Sequence, residues 1–176
     1  MAEGELTIGI PGSGSTDFAT TPIPALTLNA WPAGGGVPTR NEIGYAELSA
    51  RSNRGTPAIS GPSYDVTYSW PIAAMVTLDE ALQLGALAKW QDQQYKAQND
   101  GALRLIDELE PVDPQPSPHS RTLLSTLNPS WNAGFEYGYG VFAVKLQLPT
   151  DWRQIVGVWK DSGELARLIT FQALEV

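Results

Sequence analysis

Residues 64–80 read Tyr-Asp-Val-Thr-Tyr-Ser-Trp-Pro-Ile-Ala-Ala-Met-Val-Thr-Leu-Asp-Glu, and this stretch decides the fold class. Its even-numbered positions up to residue 76 are apolar or aromatic, whereas most odd-numbered positions are polar or small. Because successive side chains of a strand point to opposite faces, the alternation predicts one long strand with an apolar face. Pro71 has no N–H to donate, so we expect this strand to be an edge strand or to bulge near its middle.

A helix is predicted directly after this strand. Thr77 is followed three residues later by Glu80, which is the spacing of a capping box. The helix is expected to run from Leu78 to about Gln98, before the stop signal Asn99-Asp100-Gly101. The side expected to pack on a sheet carries Leu78, Ala81, Leu82, Leu84, Gly85, Ala88 and Tyr95. Leu87 and Trp90 fall nearly opposite, where either the chain's own loops or a second subunit would cover them.

The rest of the chain alternates short apolar segments with turns rich in Gly and Pro. Further strands are predicted at 6–10, 44–50, 102–110, 134–148, 152–159 and 165–174. In the strand at 134–148 the apolar parity switches between Tyr139 and Phe142, which predicts a β-bulge there. About seven strands and one mid-chain helix (about 78–98) predict a mainly β fold, a two-sheet sandwich or a barrel, in a single domain spanning 1–176.

Two long segments, 16–38 and 111–131, are rich in Pro or Gly and are predicted to be extended loops or arms. Such a segment either lies over its own domain or reaches a neighbouring subunit. An ordered arm needs an anchor, and each segment contains a tryptophan, Trp31 in the first and Trp131 in the second. The candidate interface residues are therefore Trp31, Pro71, Leu87, Trp90 and Trp131.

Composition restricts the possible partners. The chain has 11 basic and 19 acidic side chains and a net charge of −8, which disfavours binding to nucleic-acid backbones and to anionic membranes. It has no cysteine, so disulfides and thiolate metal sites are excluded. The first residues lack the pattern of a signal peptide, and no apolar run approaches the roughly 20 residues of a membrane helix.

The residue types that carry catalysis are present but poorly arranged. His119 is the single histidine, and it lies in the Pro-rich run Ser-Pro-His-Ser, a poor platform for a catalytic base or a metal ligand. The glycine-rich run 11–15 is followed by neither a lysine nor a helix signal, so it is interpreted as a turn and not as a phosphate loop.

An acidic group comprises Asp107, Glu108, Glu110 and Asp113, and we interpret it as a solvated strand edge. The six Trp and six Tyr fit a core or a subunit interface better than a sugar-binding platform. No catalytic residue, cofactor-binding residue or metal ligand is predicted, and the chain is expected not to be an enzyme.

The order of elements resembles the small virion proteins of tailed bacteriophages. The strand at 64–76, the helix at 77–98, the strand at 102–110 and the closing strands between 135 and 174 carry this resemblance. Tail tube, distal tail and baseplate subunits of that class share a sandwich or barrel flanked by a helix. The resemblance implies a structural subunit that forms rings with itself and with other virion proteins, without cofactor, in a virion assembled in the host cytoplasm. Two alternatives stay open: a capsid decoration (cement) protein, and a carbohydrate- or receptor-binding module.

Overall fold

The fold is that of a computed structural model, which describes residues 5–28, 40–43, 48–51, 57–60, 67–112, 121–127, 130, 137–152, 157–158 and 165–176. Its elements in chain order are β1 (Leu6–Gly9), β2 (Leu26–Leu28), β3 (Asn41–Ile43), β4 (Leu48–Arg51), β5 (Pro57–Ser60), β6 (Thr67–Thr77), α1 (Leu78–Lys96), β7 (Leu103–Val112), β8 (Thr122–Leu127), β9 (Tyr137–Gln147), β10 (Gly157–Val158) and β11 (Leu165–Glu175).

Seven of the strands form one antiparallel sheet in the order β2-β1-β7-β9-β11-β6-β3, and this sheet is curled into a nearly closed, barrel-like shape. Strand β8 adds to β9, and β10 adds to β11. Strands β4 and β5 form a separate two-stranded sheet. The predicted mainly β class with one helix is confirmed, in its barrel-like form.

Strand β6 is the long strand that residues 64–80 predict. It pairs with β11 without interruption from Ser69 to Thr77, so Pro71 causes no bulge in this ladder. On its other edge, β6 pairs with β3 only at residues 67–69. The expected bulge at Pro71 is therefore wrong. The expected edge agrees with the structure, because beyond Ser69 one side of β6 has no partner strand among the described residues.

The inner face of β6 is the centre of the hydrophobic core. Its alternate residues are all buried, as the period of two predicts. They pack with apolar side chains from the neighbouring strands and from α1, and removal of this surface from water is the main stabilising term of the fold. The largest of the core side chains include Trp70, Phe142, Leu6, Ile8, Ile72, Leu84, Leu87, Leu103, Leu105 and Ile169.

Helix α1 begins with the predicted capping box. The backbone N–H of Thr77 donates to Glu80 Oε2 at 2.8 Å, and the backbone N–H of Glu80 donates to Thr77 Oγ1 at 3.3 Å. The buried side of the helix contains Ala81, Leu84 and Gly85 of the predicted side, but Leu87 and Gln91 complete it. Leu87 is thus a core residue and not an interface residue, whereas Leu82 and Tyr95 are exposed.

Gln91 explains this orientation of the helix. Its Nε2 donates to the carbonyl of Val144 at 3.2 Å, and its Oε1 accepts from the backbone N–H of Leu146 at 3.0 Å. Along a strand, the backbone groups of alternate residues bond to opposite neighbours. The carbonyl of the odd-numbered Ala143 accepts from the N–H of Val176 on the β11 side. The backbone groups of the even-numbered residues of β9 therefore face β7. Pairing with β7 stops at Val144, and the Gln91 amide therefore continues the ladder where β7 is absent. A helical wheel of apolar residues does not predict this orientation of α1, because the residue that fixes it, Gln91, is polar.

The first predicted arm, 16–38, packs on its own barrel as far as residue 28. Residues 26–28 form β2, in which Leu26 and Leu28 are buried opposite β1. Gln83 Nε2 on α1 donates to the carbonyl of Pro24 at 2.8 Å and holds the preceding loop against the helix. Residues 16–28 thus lie over their own domain, which is one of the two predicted alternatives, although the strand β2 is not among the predicted strands. Residues 29–39, including Trp31, lie outside the described residues.

The second predicted arm, 111–131, also contains strand structure. Residues 111–112 are the end of β7, and 122–127 form β8, which pairs with β9. The arm prediction is wrong for these residues. His119, Asp113 and Trp131 lie outside the part of the chain that the structure describes.

Strand β9 has no switch of parity. Every even-numbered residue from 138 to 146 is buried, and Val141 is the one odd-numbered residue of β9 that is buried as well. The inward positions before Phe142 are therefore the glycines Gly138 and Gly140, and Tyr137 and Tyr139 point outward. A Cβ on Gly140 would collide with the Phe142 ring and with Val112, so the missing side chain leaves room for both. The predicted bulge in β9 is wrong, because the register shifts arise from extra residues in the partner strands β7 and β8.

Candidate interaction surface

The outer face of β6 and β11 is the most distinctive exposed surface among the described residues. Because neighbouring residues of a strand face opposite ways, the residues between the core positions of β6 point outward. We call the six outward residues of the two strands the outer strip. In their cross-strand pairs they are Pro71 with Gln172, Ala73 with Thr170, and Met75 with Leu168.

The outer strip is apolar at one end and free of charge along its length. Met75 and Leu168 are 43% and 38% exposed, although they are among the largest apolar side chains in the two strands. They lie directly opposite each other, so their side chains form one continuous apolar contact area. None of the six residues carries a charge, in a chain with 30 charged side chains (11 basic and 19 acidic). A neutral surface with an apolar end on an acidic protein suits a contact surface.

The structure separates the five candidate interface residues. Pro71 lies in the outer strip and is exposed. Trp90 is half-buried and packs against the core of its own chain, as Leu87 also does. Trp31 and Trp131 lie outside the described residues. Of the five, the structure therefore leaves only Pro71 on an open surface within the described part of the chain.

Met75 and Leu168 were missed as candidates. The period-two pattern of 64–76 already assigns Met75 to the odd-numbered, outward face. The sequence does not reveal that Met75 and Leu168 are neighbours, because the pairing of β6 with β11 joins residues about ninety positions apart.

An open groove of about 640 Å³ separates α1 from the turn that follows β9. Leu82, Ala86 and Lys89 of the helix face Leu148 and Trp152 across it. The Trp152 ring lies directly on Gly85, whose missing side chain allows this close approach. The lining is about equally polar and apolar, and Lys89, Asp92 and Thr150 are its polar side chains.

A buried charged cluster lies at one end of the barrel. Asp107 on β7 is buried, so its interpretation as part of a solvated edge is wrong. Its Oδ2 accepts from Trp70 Nε1 at 2.9 Å and from Arg40 Nη1 at 3.3 Å, and its Oδ1 accepts from the backbone N–H of Leu109 at 2.9 Å. The register shift in β7 after Asp107 leaves these backbone groups free to bond with the carboxylate.

The second acid of the cluster is Glu175, near the end of β11. Arg121 Nε and Nη2 donate to its two oxygens, each at 2.7 Å, in a bidentate pair. The backbone N–H of Tyr68 donates to Glu175 Oε2 at 2.8 Å. Two arginines and two carboxylates thus balance in charge, and both carboxylates are held by several donors. This arrangement suits a structural role, in which the ion pairs hold strands together. It suits proton transfer less well, because a general base needs a carboxylate that is free to accept a proton from a substrate.

Two further observations concern the described residues alone. Within the described ranges, no group of three or more His, Cys, Asp or Glu side chains is placed to hold a metal ion. In the same part of the chain, no helix combines the length and apolar character needed to cross a membrane.

No family model, curated protein or solved structure matches the chain. Function must therefore be inferred from the geometry of the described residues and from the sequence.

Proposed function

We propose that the chain is a non-enzymatic structural subunit of a tailed-phage virion, belonging to the tail tube, tail tip or baseplate. In this role it assembles into rings with copies of itself and contacts other virion proteins. The barrel-like sheet with one helix is the architecture that the resemblance of the sequence implies. The observation that carries the proposal is the outer strip, with its exposed Met75–Leu168 pair and no charge.

A second copy of the chain is the partner that fits the outer strip best. Two copies that each carry a net charge of −8 repel each other wherever acidic faces meet. The outer strip brings no like charges together, so identical subunits can approach there at the least electrostatic cost. Sheets that pack face to face lie about 10 Å apart, with side chains such as Met75 and Leu168 filling the space between them.

The proposal is tested by the oligomeric state of the full chain. Light scattering coupled to size-exclusion chromatography, with negative-stain electron microscopy, should show oligomers that grow with protein concentration and include rings. Met75→Glu and Leu168→Glu place like charges in the contact and should weaken association at least about tenfold. Leu82→Glu is the matched control, because Leu82 is a leucine on the helix that is at least as exposed as Met75 and Leu168 and lies away from the outer strip.

The alternatives give different results in the same experiments. A chain that stays monomeric at every concentration and binds glycans on an array would overturn the proposal in favour of a carbohydrate-binding module. A monomer that binds only to assembled capsids would favour a capsid decoration protein. If rings persist unchanged in both glutamate variants, the chain is still a structural subunit, but the outer strip is not its contact surface.

A further inference from the structure

Arginines from two distant parts of the chain contact the same aromatic ring. Arg40 immediately precedes β3, and Arg121 immediately precedes β8. Their guanidinium carbons lie 4.4 Å and 4.2 Å from the centre of the Tyr68 ring. Both side chains are buried, with 5% and 3% of their surface exposed. A desolvated guanidinium over an aromatic ring is held more strongly than one at the surface.

Each arginine is also fixed to a different strand. Arg121 makes the bidentate pair with Glu175 on β11. Arg40 bonds to Asp107 on β7 and donates to the backbone carbonyls of Glu110 and Pro111, each at 3.1 Å. In the order of the sheet, β3 and β7 are not neighbours. Arg40 therefore bridges the two sides of the curled sheet with side-chain bonds in place of a strand ladder.

A continuous set of contacts connects the two arginines. The Tyr68 ring packs edge-on against Trp70 at 6.1 Å and against Phe142 at 5.8 Å, measured between ring centres. Trp70 in turn donates to Asp107, the carboxylate that Arg40 binds. If Arg121 is displaced, the Tyr68 ring can move, and this movement affects Trp70 and then the Asp107–Arg40 pair to which Trp70 donates.

We propose that Arg40, Tyr68 and Arg121 act as one cooperative clasp, in which the two buried ion pairs are coupled through the aromatic ring. Loss of either arginine releases the other and opens this end of the barrel locally. Buried polar networks of this kind are worth more together than their separate parts. Arg40 and Arg121 directly follow residues 29–39 and 113–120 in the chain, so the clasp connects the points at which these two segments join the barrel. The clasp is independent of the virion role.

Hydrogen exchange of the Trp70 indole N–H tests the coupling. In the ¹⁵N-labelled full chain this proton gives one of six tryptophan indole signals, and Trp70→Phe identifies it. Arg121→Gln removes the bidentate pair with Glu175 and the cation over the Tyr68 ring, and it leaves the Trp70 and Asp107 side chains themselves unchanged. We expect the Trp70 indole N–H to exchange at least about tenfold faster in this variant. The backbone amides around Gly9 and Arg104, at the end of the β1–β7 ladder away from Asp107, should keep their rates.

Three further variants keep the test decisive. Arg104→Gln is the control, because Arg104 pairs with the half-exposed Asp17 away from the clasp and should leave the Trp70 signal unchanged. Tyr68→Leu removes the nearer ring, so in that background Arg121→Gln should accelerate exchange at Trp70 much less, the remainder passing through Phe142, whose ring centre lies 5.8 Å and 5.9 Å from the two guanidinium carbons. Should Arg121→Gln fail to fold, Arg121→Lys keeps the charge, loses the bidentate geometry and should act in the same direction. An unchanged Trp70 rate, or equal acceleration of all core amides, would overturn the clasp.

Discussion

The indole Nε1 of Trp70 donates a 2.9 Å hydrogen bond to Oδ2 of Asp107 across the interior of the barrel-like sheet. The two residues lie on β6 and β7, which β9 and β11 separate in the order of the sheet. The bond therefore joins opposite walls and does not follow a strand ladder. The Phe142 ring packs on the Trp70 ring at 4.8 Å between centres and shields this contact. A polar bond in such a place constrains how the two walls can pack, because a shift would leave a buried carboxylate short of a partner.

Asp107→Asn should destabilise the fold by about 3–5 kcal/mol, because it leaves the buried guanidinium of Arg40 without its counter-charge. Urea unfolding followed by tryptophan fluorescence measures the change. Glu110→Gln is the control, since that side chain is 57% exposed and lies 4.0 Å from the same arginine. This control should change the free energy of unfolding by less than about 0.5 kcal/mol. Equal effects of the two substitutions would contradict the importance assigned to burial.

Gln91→Leu should cost about 2–3 kcal/mol, although leucine is more apolar and helix position 91 is buried. The substitution leaves the carbonyl of Val144 and the N–H of Leu146 without the partner that the amide supplies. Gln93→Leu on the exposed side of the same helix should stay within about 0.5 kcal/mol of the parent. Thermal unfolding monitored by circular dichroism distinguishes the two. A Gln91→Leu variant as stable as the parent would show that water replaces the amide.

Gly85→Ala should destabilise the chain, contrary to the usual gain of about 1 kcal/mol for this change inside a helix. A Cβ at residue 85 would lie within the Trp152 ring and displace it, at an expected cost of about 1–3 kcal/mol. Tryptophan emission should shift as the ring becomes more exposed. In a Trp152→Ala background the obstacle is gone, so the same Gly85→Ala change should become stabilising. Absence of this reversal in sign would contradict the contact.

Gln98→Gly should stabilise the chain by about 0.5–1 kcal/mol. Gln98 has a φ of 59° just past the end of α1. There the N–H of Asn99 donates to the carbonyl of Gln94 and the N–H of Gln98 donates to that of Tyr95, each at 3.0 Å, as in a Schellman motif. Ala97→Gly, at a φ of −83°, should bring no such gain. Denaturant titration measures both changes, and a loss of stability in Gln98→Gly would contradict the assigned cap.

Local pattern was sufficient for the central strand and the start of the helix. The alternation over 64–76 assigns Trp70 to the inner face and Met75 to the outer face, and the structure confirms both assignments. The capping box of Thr77 and Glu80 is also confirmed. These features depend on stereochemistry and hydrogen bonds within a few residues, so the sequence by itself determined them.

Only the tertiary structure decided which polar residues are buried and which segments belong to the sheet. Asp107 meets Trp70 from 37 residues away, Gln91 meets Val144 from 53 and Arg121 meets Glu175 from 54. A local pattern contains no information about such partners, which is why Asp107 resembled a surface acid and Leu87 an outward residue. Strands β2 and β8 resembled arms for the same reason, since short strands gain their stability from neighbours distant in sequence. The stretch 64–80 thus determined one wall of the barrel, and long-range packing decided what that wall faces.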